Sequence, residues 1–135
     1  ARPAPTTGAG WRTLLERARK RRAARDWKGA ARAYAELIRA NPTRPVARVA
    51  LISLGLLQLE HLGRPSAALD SFRRYLTLAP GGALASEALW GQARALRALG
   101  RRRQEAATLR RYLQLRGATD EARARRRLRK LSRAR

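Results

Sequence analysis

Few residues of this chain have the types and spacing that bond-making chemistry needs. His61 is the only histidine, there is no cysteine, and the acidic residues number nine. Zinc sites are built from Cys, His and carboxylate ligands gathered in threes and fours, so one histidine without cysteines gives neither a thiolate site nor a His cluster. Glu60 and His61 are adjacent and could in principle share a proton, but on one helix they read as a surface pair. The other carboxylates are spread along the whole chain, mostly beside arginines, which does not suggest a general acid and base. Gly81-Gly82 and Gly8-Ala9-Gly10 lack the preceding strand and the Gly-Lys-Ser/Thr ending of a phosphate loop. The expectation is a protein without catalytic residues, metal or cofactor.

Guanidinium chemistry remains. The formal net charge is +23, and of the 32 basic residues three are lysines, Lys20, Lys28 and Lys130. So strong an arginine bias, with abundant Ala and Leu, has two readings. One is a solvated surface shaped by GC-rich codons. The other is an electrostatic footprint for nucleic acid, acidic protein or anionic lipid. Charge is unevenly distributed: +9 over residues 1–45, +2 over 46–80 and +12 over 81–135.

Seven helices are expected to position these side chains. Trp11, Leu14, Leu15, Ala18 and Arg22 follow helical spacing within a first helix over residues 11–25. A second runs from Lys28 to Ala40. Asn41-Pro42 ends the pair, because proline disfavours helical geometry in the residue before it. Thr43 is expected to cap the next helix, with Pro45 in its first turn. That helix, residues 46–62, is apolar on most of its circumference and so must be buried on several sides. A helix over 65–78 follows, and Pro80-Gly81-Gly82 breaks the chain. A third pair spans 83–99 and 104–115, with Arg101-Arg102-Arg103 in the turn. A last helix from about residue 119 carries Ala124, Leu128 and Leu131 as one narrow stripe. Leu128 and Leu131 are expected to bury against the third pair while the surrounding arginines stay in solvent. No apolar run approaches the roughly 20 residues that span a bilayer. Residues 1–10 read as a Pro/Ala linker or an N-terminal arm.

The pairs repeat. Ala30, Tyr34, Ile38 and Pro42 return 38 residues later as Ala68, Phe72, Leu76 and Pro80, and Leu109, Leu113 and Gly117 form a fainter third copy. A period of this length with helical patterning marks a helical solenoid. Nearly all of residues 11–117 resembles the tetratricopeptide repeat family. Its small residue in the first helix matches Ala18 and Ala93, with Leu56 departing beside Gly55. Its turn glycine matches Gly63 and Gly100, with Arg25 departing. Its aromatic in the second helix matches Tyr34 and Phe72. The stretch from Leu54-Gly55 to Pro80-Gly81 is also similar to the repeat regions of ferric-citrate-regulator-like anti-sigma and envelope proteins of GC-rich bacteria.

The resemblance implies an all-α, right-handed solenoid of three hairpins, at about 11–42, 46–80 and 83–117, closed by a capping helix at about 119–133. It implies a scaffold whose first helices line a concave groove. Carried over by position, Arg12, Leu15, Arg19 and Arg22 face that groove from the first unit. Ser53, Leu57, Glu60 and His61 come from the second, and Glu87, Trp90, Arg94 and Arg97 from the third. The partner expected there is a protein or peptide of acidic character, because guanidinium groups suit carboxylates, in a larger bacterial envelope or signalling protein. Trp90 stands equally well as core. The asparagines of the family's chaperone-tail site are missing at these positions. The rival surface is an arginine-rich patch of Arg101, Arg102, Arg103, Arg125, Arg126, Arg127, Arg129 and Lys130, suited to nucleic acid. Docking of the last helix on an anionic membrane surface is a third use of the same residues.

Overall fold

The computed structural model describes residues 10–115 and 118–133, so the N-terminal arm lies outside it except for Gly10, as does Gly117. The described residues form seven helices and no strand: α1 (Trp11–Ala23), α2 (Trp27–Ala40), α3 (Pro45–Glu60), α4 (Pro65–Leu78), α5 (Ala85–Ala98), α6 (Arg102–Gln114) and α7 (Glu121–Arg133). Each helix packs on the next, and α3 also packs on α5. Of the equivalent helices, α3 and α5 approach most closely, which puts these two on the inner side of the stack. Across the outer side, Arg73 of α4 reaches Gln104 of α6 with a 3.3 Å hydrogen bond.

The hairpin turns share one backbone device. Arg25, Gly63 and Gly100 hold φ of 59°, 60° and 72°, three equivalent positions in the left-handed region. Glycine enters it without a Cβ penalty; Arg25 does so with one. The neighbouring Asp26 helps to hold the turn. It caps α2, its Oδ1 accepting from the Gly29 N–H at 2.9 Å and its Oδ2 from Arg21 at 2.8 Å. The Arg21 hydrogen bond, then the Gly29 one, holds its carboxyl below the usual carboxylate range. Other helices start differently from the sequence expectation. Arg44, not Thr43, is the N-cap of α3, and it offers no side-chain bond; Pro45 opens the helix. Arg102 and Arg103 belong to α6 rather than to a turn.

The joins between hairpins repeat as well. The Tyr75 hydroxyl accepts the Leu84 N–H at the entry to α5 at 3.0 Å. The Tyr112 hydroxyl, 37 residues on, accepts the Asp120 N–H at the entry to α7 at 2.9 Å. Thus α7 is joined to α6 as α5 is joined to α4. One core cluster runs through α1–α5, and a second joins Leu89, Ala93, Leu109, Tyr112 and Ala124. The nearly all-apolar α3 sits at the middle of the first, packed on α2, α4 and α5.

At the centre, the Phe72 ring of α4 is wedged between Gly55 of α3 and Gly91 of α5. A Cβ built on Gly55 would lie 2.7 Å from Phe72 Cε1, and one on Gly91 would also collide with the ring. Gly55 is therefore the small residue of the second unit, one place before the Leu56 suggested by position. Leu128 and Leu131 are only partly buried, because α7 packs chiefly against α6 and no other described helix covers its outer side. Ala124 is the fully buried contact of α7.

Candidate functional site

The inner face of the stack opens into a cavity of about 530 Å³ between α3, α5, α6 and α7. Leu59, Trp90, Ala93 and Leu109 give it apolar walls, and Arg94, Arg97, Arg123 and Arg127 bring four guanidinium groups to it. Of the groove residues expected from sequence, Trp90, Arg94 and Arg97 are brought together here. Trp90 is half-buried and packs on Tyr112 with ring centroids 5.1 Å apart, so it serves core and cavity at once. Arg94 pairs with Glu60 across α3 and α5 at 2.8 Å.

Other expected groove residues lie elsewhere. Leu57 is 1% exposed and belongs to the core, the consequence of Gly55 rather than Leu56 taking the small position; Leu56 is the half-exposed neighbour. His61 stacks on Trp27 with ring centroids 3.7 Å apart and planes 11° apart, bracing the first hairpin against the second. Arg12 lies over the Trp11 ring at 4.4 Å. Arg19 and Arg22 are exposed on α1 and do not line the cavity; Ser53 and Leu15 are half-exposed, and Glu87 is exposed.

The last helix contributes what the sequence reading left in solvent. Arg127 Nε and an Nη donate to the two carboxylate oxygens of Glu105 at 2.6 and 2.9 Å. The Glu105 side chain is 2% exposed and that of Arg127 is 23% exposed. That hydrogen bond raises the Arg127 pKa above its ordinary value, so the guanidinium stays charged. Glu105 stands 37 residues after Ala68, which stands 38 after Ala30. An alanine lets the following first helix approach closely; a glutamate in its place reaches across to hold α7 by charge. Arg123 lies over the Trp90 ring at 5.5 Å. The spacing of Glu105 in the repeat was the signal available in the sequence, but a long polar residue among short ones does not reveal its partner.

The rival patch is altered by the same pairing. Arg127 is turned inward, whereas Arg101, Arg125, Arg126, Arg129 and Lys130 are exposed, with Arg125 3.4 Å from Glu121. Arg102 and Arg103 line an opening of about 730 Å³ between α6 and α7 with Arg110, Leu128 and Leu131. Among the described residues no three His, Asp or Glu side chains gather as metal ligands would. No described helix is long and apolar enough to cross a membrane.

Residues 15–83 match the sequence profile described as tetratricopeptide repeat. The chain belongs to the tetratricopeptide repeat family. Its fold is similar to that in the crystal structure of MamA protein, with a TM-score of 0.75 and 22% sequence identity. The superposition covers 90% of this chain and 61% of that one, so the chain spans about three fifths of the MamA structure's length. Comparison with curated protein sequences gives no match. The tetratricopeptide profile covers the first two hairpins; the third, α5–α6, continues the same turn and tyrosine joins. Tetratricopeptide repeats generally mediate protein–protein interaction and scaffolding.

Proposed function

We propose that this tetratricopeptide chain is a non-catalytic scaffold that binds an acidic polypeptide segment along its inner face, as one part of a bacterial envelope or signalling protein. The observation that carries the reading is the cavity between α3, α5, α6 and α7, with an indole and aliphatic walls beside four guanidinium groups. Concave sites with apolar walls and a few placed polar groups are where ligands bind. Helical repeats stack into extended inner surfaces suited to peptides. The envelope context rests on the narrower sequence resemblance of residues 54–81.

The test is fluorescence anisotropy with a labelled peptide of repeating Glu-Glu-Leu, beside a Lys-Lys-Leu peptide and generic duplex DNA. The acidic peptide is expected to bind saturably, and the double charge reversal Arg94→Glu with Arg97→Glu to weaken it at least about tenfold, or about 1.4 kcal/mol. Unchanged affinity in that variant would overturn the groove. A second reading, nucleic-acid binding, draws on the exposed Arg125, Arg126, Arg129 and Lys130 of α7. It demands affinity for DNA that falls steeply with salt and survives the groove reversal.

A further inference from the structure

We infer that α7 is a wall of the binding site as well as the end of the stack, and that the four cavity arginines divide their work. Arg97 and Arg123 read acidic side chains of the bound segment, whereas Arg127 positions α7. This inference rests on the peptide-binding reading above and specifies its partner.

The division follows from what each guanidinium already holds. Arg127 is bidentate to Glu105, and the carboxylate is 2% exposed. A ligand that drew Arg127 away would strand a buried charge, which is strongly unfavourable. Arg94 already donates to Glu60 at 2.8 Å, so a ligand carboxylate arriving there would compete with an internal one for its N–H donors. The Arg97 guanidinium, by contrast, has no hydrogen-bond or ion-pair partner among the described residues. Arg123 is 3.9 Å from Asp120, beyond hydrogen-bond length, and its guanidinium rests over the Trp90 ring at 5.5 Å. Contact with a ring face orients a guanidinium while leaving its in-plane N–H donors open. Two available forks, one on α5 and one on α7, thus line the same cavity as the half-buried Trp90.

Planar guanidinium groups match carboxylates two bonds at a time. Between them Trp90, Leu59, Ala93 and Leu109 offer an apolar surface. The segment that fits carries an apolar side chain flanked by acidic ones. Arg123 is delivered to this place by the docking of α7, and α7 is held by Ala124 in the second core cluster, by the Tyr112–Asp120 hydrogen bond and by Glu105–Arg127. The glutamate that interrupts the alanines of the repeat therefore works as a positioning residue for recognition.

The experiment uses the whole chain, the labelled Glu-Glu-Leu peptide, its Gln-Gln-Leu counterpart, and thermal melts of every variant. Arg97→Gln and Arg123→Gln are each expected to weaken the acidic peptide roughly tenfold while melting close to the parent. Arg123→Lys, which keeps the charge and loses the fork, should fall between. Arg94→Gln should weaken the peptide less than Arg97→Gln does, because Arg94 already shares its charge with Glu60. Arg127→Gln should weaken binding and lower Tm together, the signature of a positioning role. If the acidic peptide binds but ignores Arg97→Gln and Arg123→Gln, the assignment of these two residues fails and the groove reading stands. A loss with Arg94→Gln as large as with Arg97→Gln also overturns the division. Equal binding of the Gln-Gln-Leu peptide overturns recognition by charge, and no saturable binding of either peptide overturns the groove reading itself.

Discussion

Arg25 occupies the left-handed turn position that Gly63 and Gly100 hold in the other two hairpins, with φ of 59°. A side chain there costs roughly 1–2 kcal/mol, partly offset because glycine is freer in the unfolded chain. Arg25→Gly is therefore expected to raise stability by about 1 kcal/mol, seen as a higher Tm; a lower Tm would mean that the arginine side chain holds the turn. Glu105 and Arg127 make the opposite case. Removing one partner of a buried ion pair costs about 3–5 kcal/mol, whereas replacing both with apolar groups is often neutral; with Arg127 partly exposed, about 3 kcal/mol is expected. Arg127→Leu alone should destabilise by that amount. Adding Glu105→Ala, which restores the alanine of the other hairpins, should recover most of it. A double-mutant cycle measured by denaturant melts gives the coupling directly. Neither residue announced its role in the sequence: Arg25 looked like a simple departure from glycine, and Arg127 was one arginine among many in a helix expected to keep its charges in water.

Helix packing turns on one aromatic ring. Phe72 is fully buried and meets both α3 and α5 through glycines, so the middle hairpin is joined to the third across Gly91. Gly91→Ala gains about 1 kcal/mol of helix propensity. The added methyl collides with a ring that has nowhere to turn, and overpacking of this kind costs about 1–3 kcal/mol. Overpacking is expected to win, lowering Tm in spite of the better helix former; a rise in Tm would show that α5 can move away from α4. The same contact explains why sequence position alone sets the register of α3 one residue off. Helical periodicity in a segment apolar nearly all round marks no unique inner face, so Leu56 and Leu57 could be told apart only by which neighbour, Gly55, admits the ring.

Across the whole molecule the charge of +23 is concentrated at the two ends of the stack. Like charges crowded within each end, among the arginines of α1 and among those of α7, repel through solvent, and the Debye length shrinks from about 10 Å at 0.1 M salt to about 3 Å at 1 M. Tm is expected to rise between low and high salt, because screening relieves repulsion among exposed arginines more than it weakens the largely buried Glu105–Arg127 pair. Replacing Arg126 and Arg129 with Gln should raise stability at low salt by no more than about 0.5 kcal/mol, seen as a slightly higher Tm, and flatten the salt response. A parent protein that loses stability as salt increases would show that attractive pairs outweigh repulsion.

The sequence by itself determined the class of fold, the number of helices, their breaks and the hairpin repeat. These follow from local rules: 3.6-residue periodicity, Pro and Gly at the joins, and an apolar middle helix between charged ends. Trp90, Arg94 and Arg97, carried over from the family resemblance, share one side of α5, since spacing along a single helix fixes which side chains do. The tertiary structure decided the rest of the site. Which residues on different helices meet depends on close approach, and close approach was set by the Phe72 ring between two glycines and by the reach of Glu105 to Arg127. Packing between helices buried Leu57, stacked His61 on Trp27, turned Arg127 inward and brought Arg123 over Trp90. No spacing within a helix could have specified them, because each depends on how closely separate helices approach.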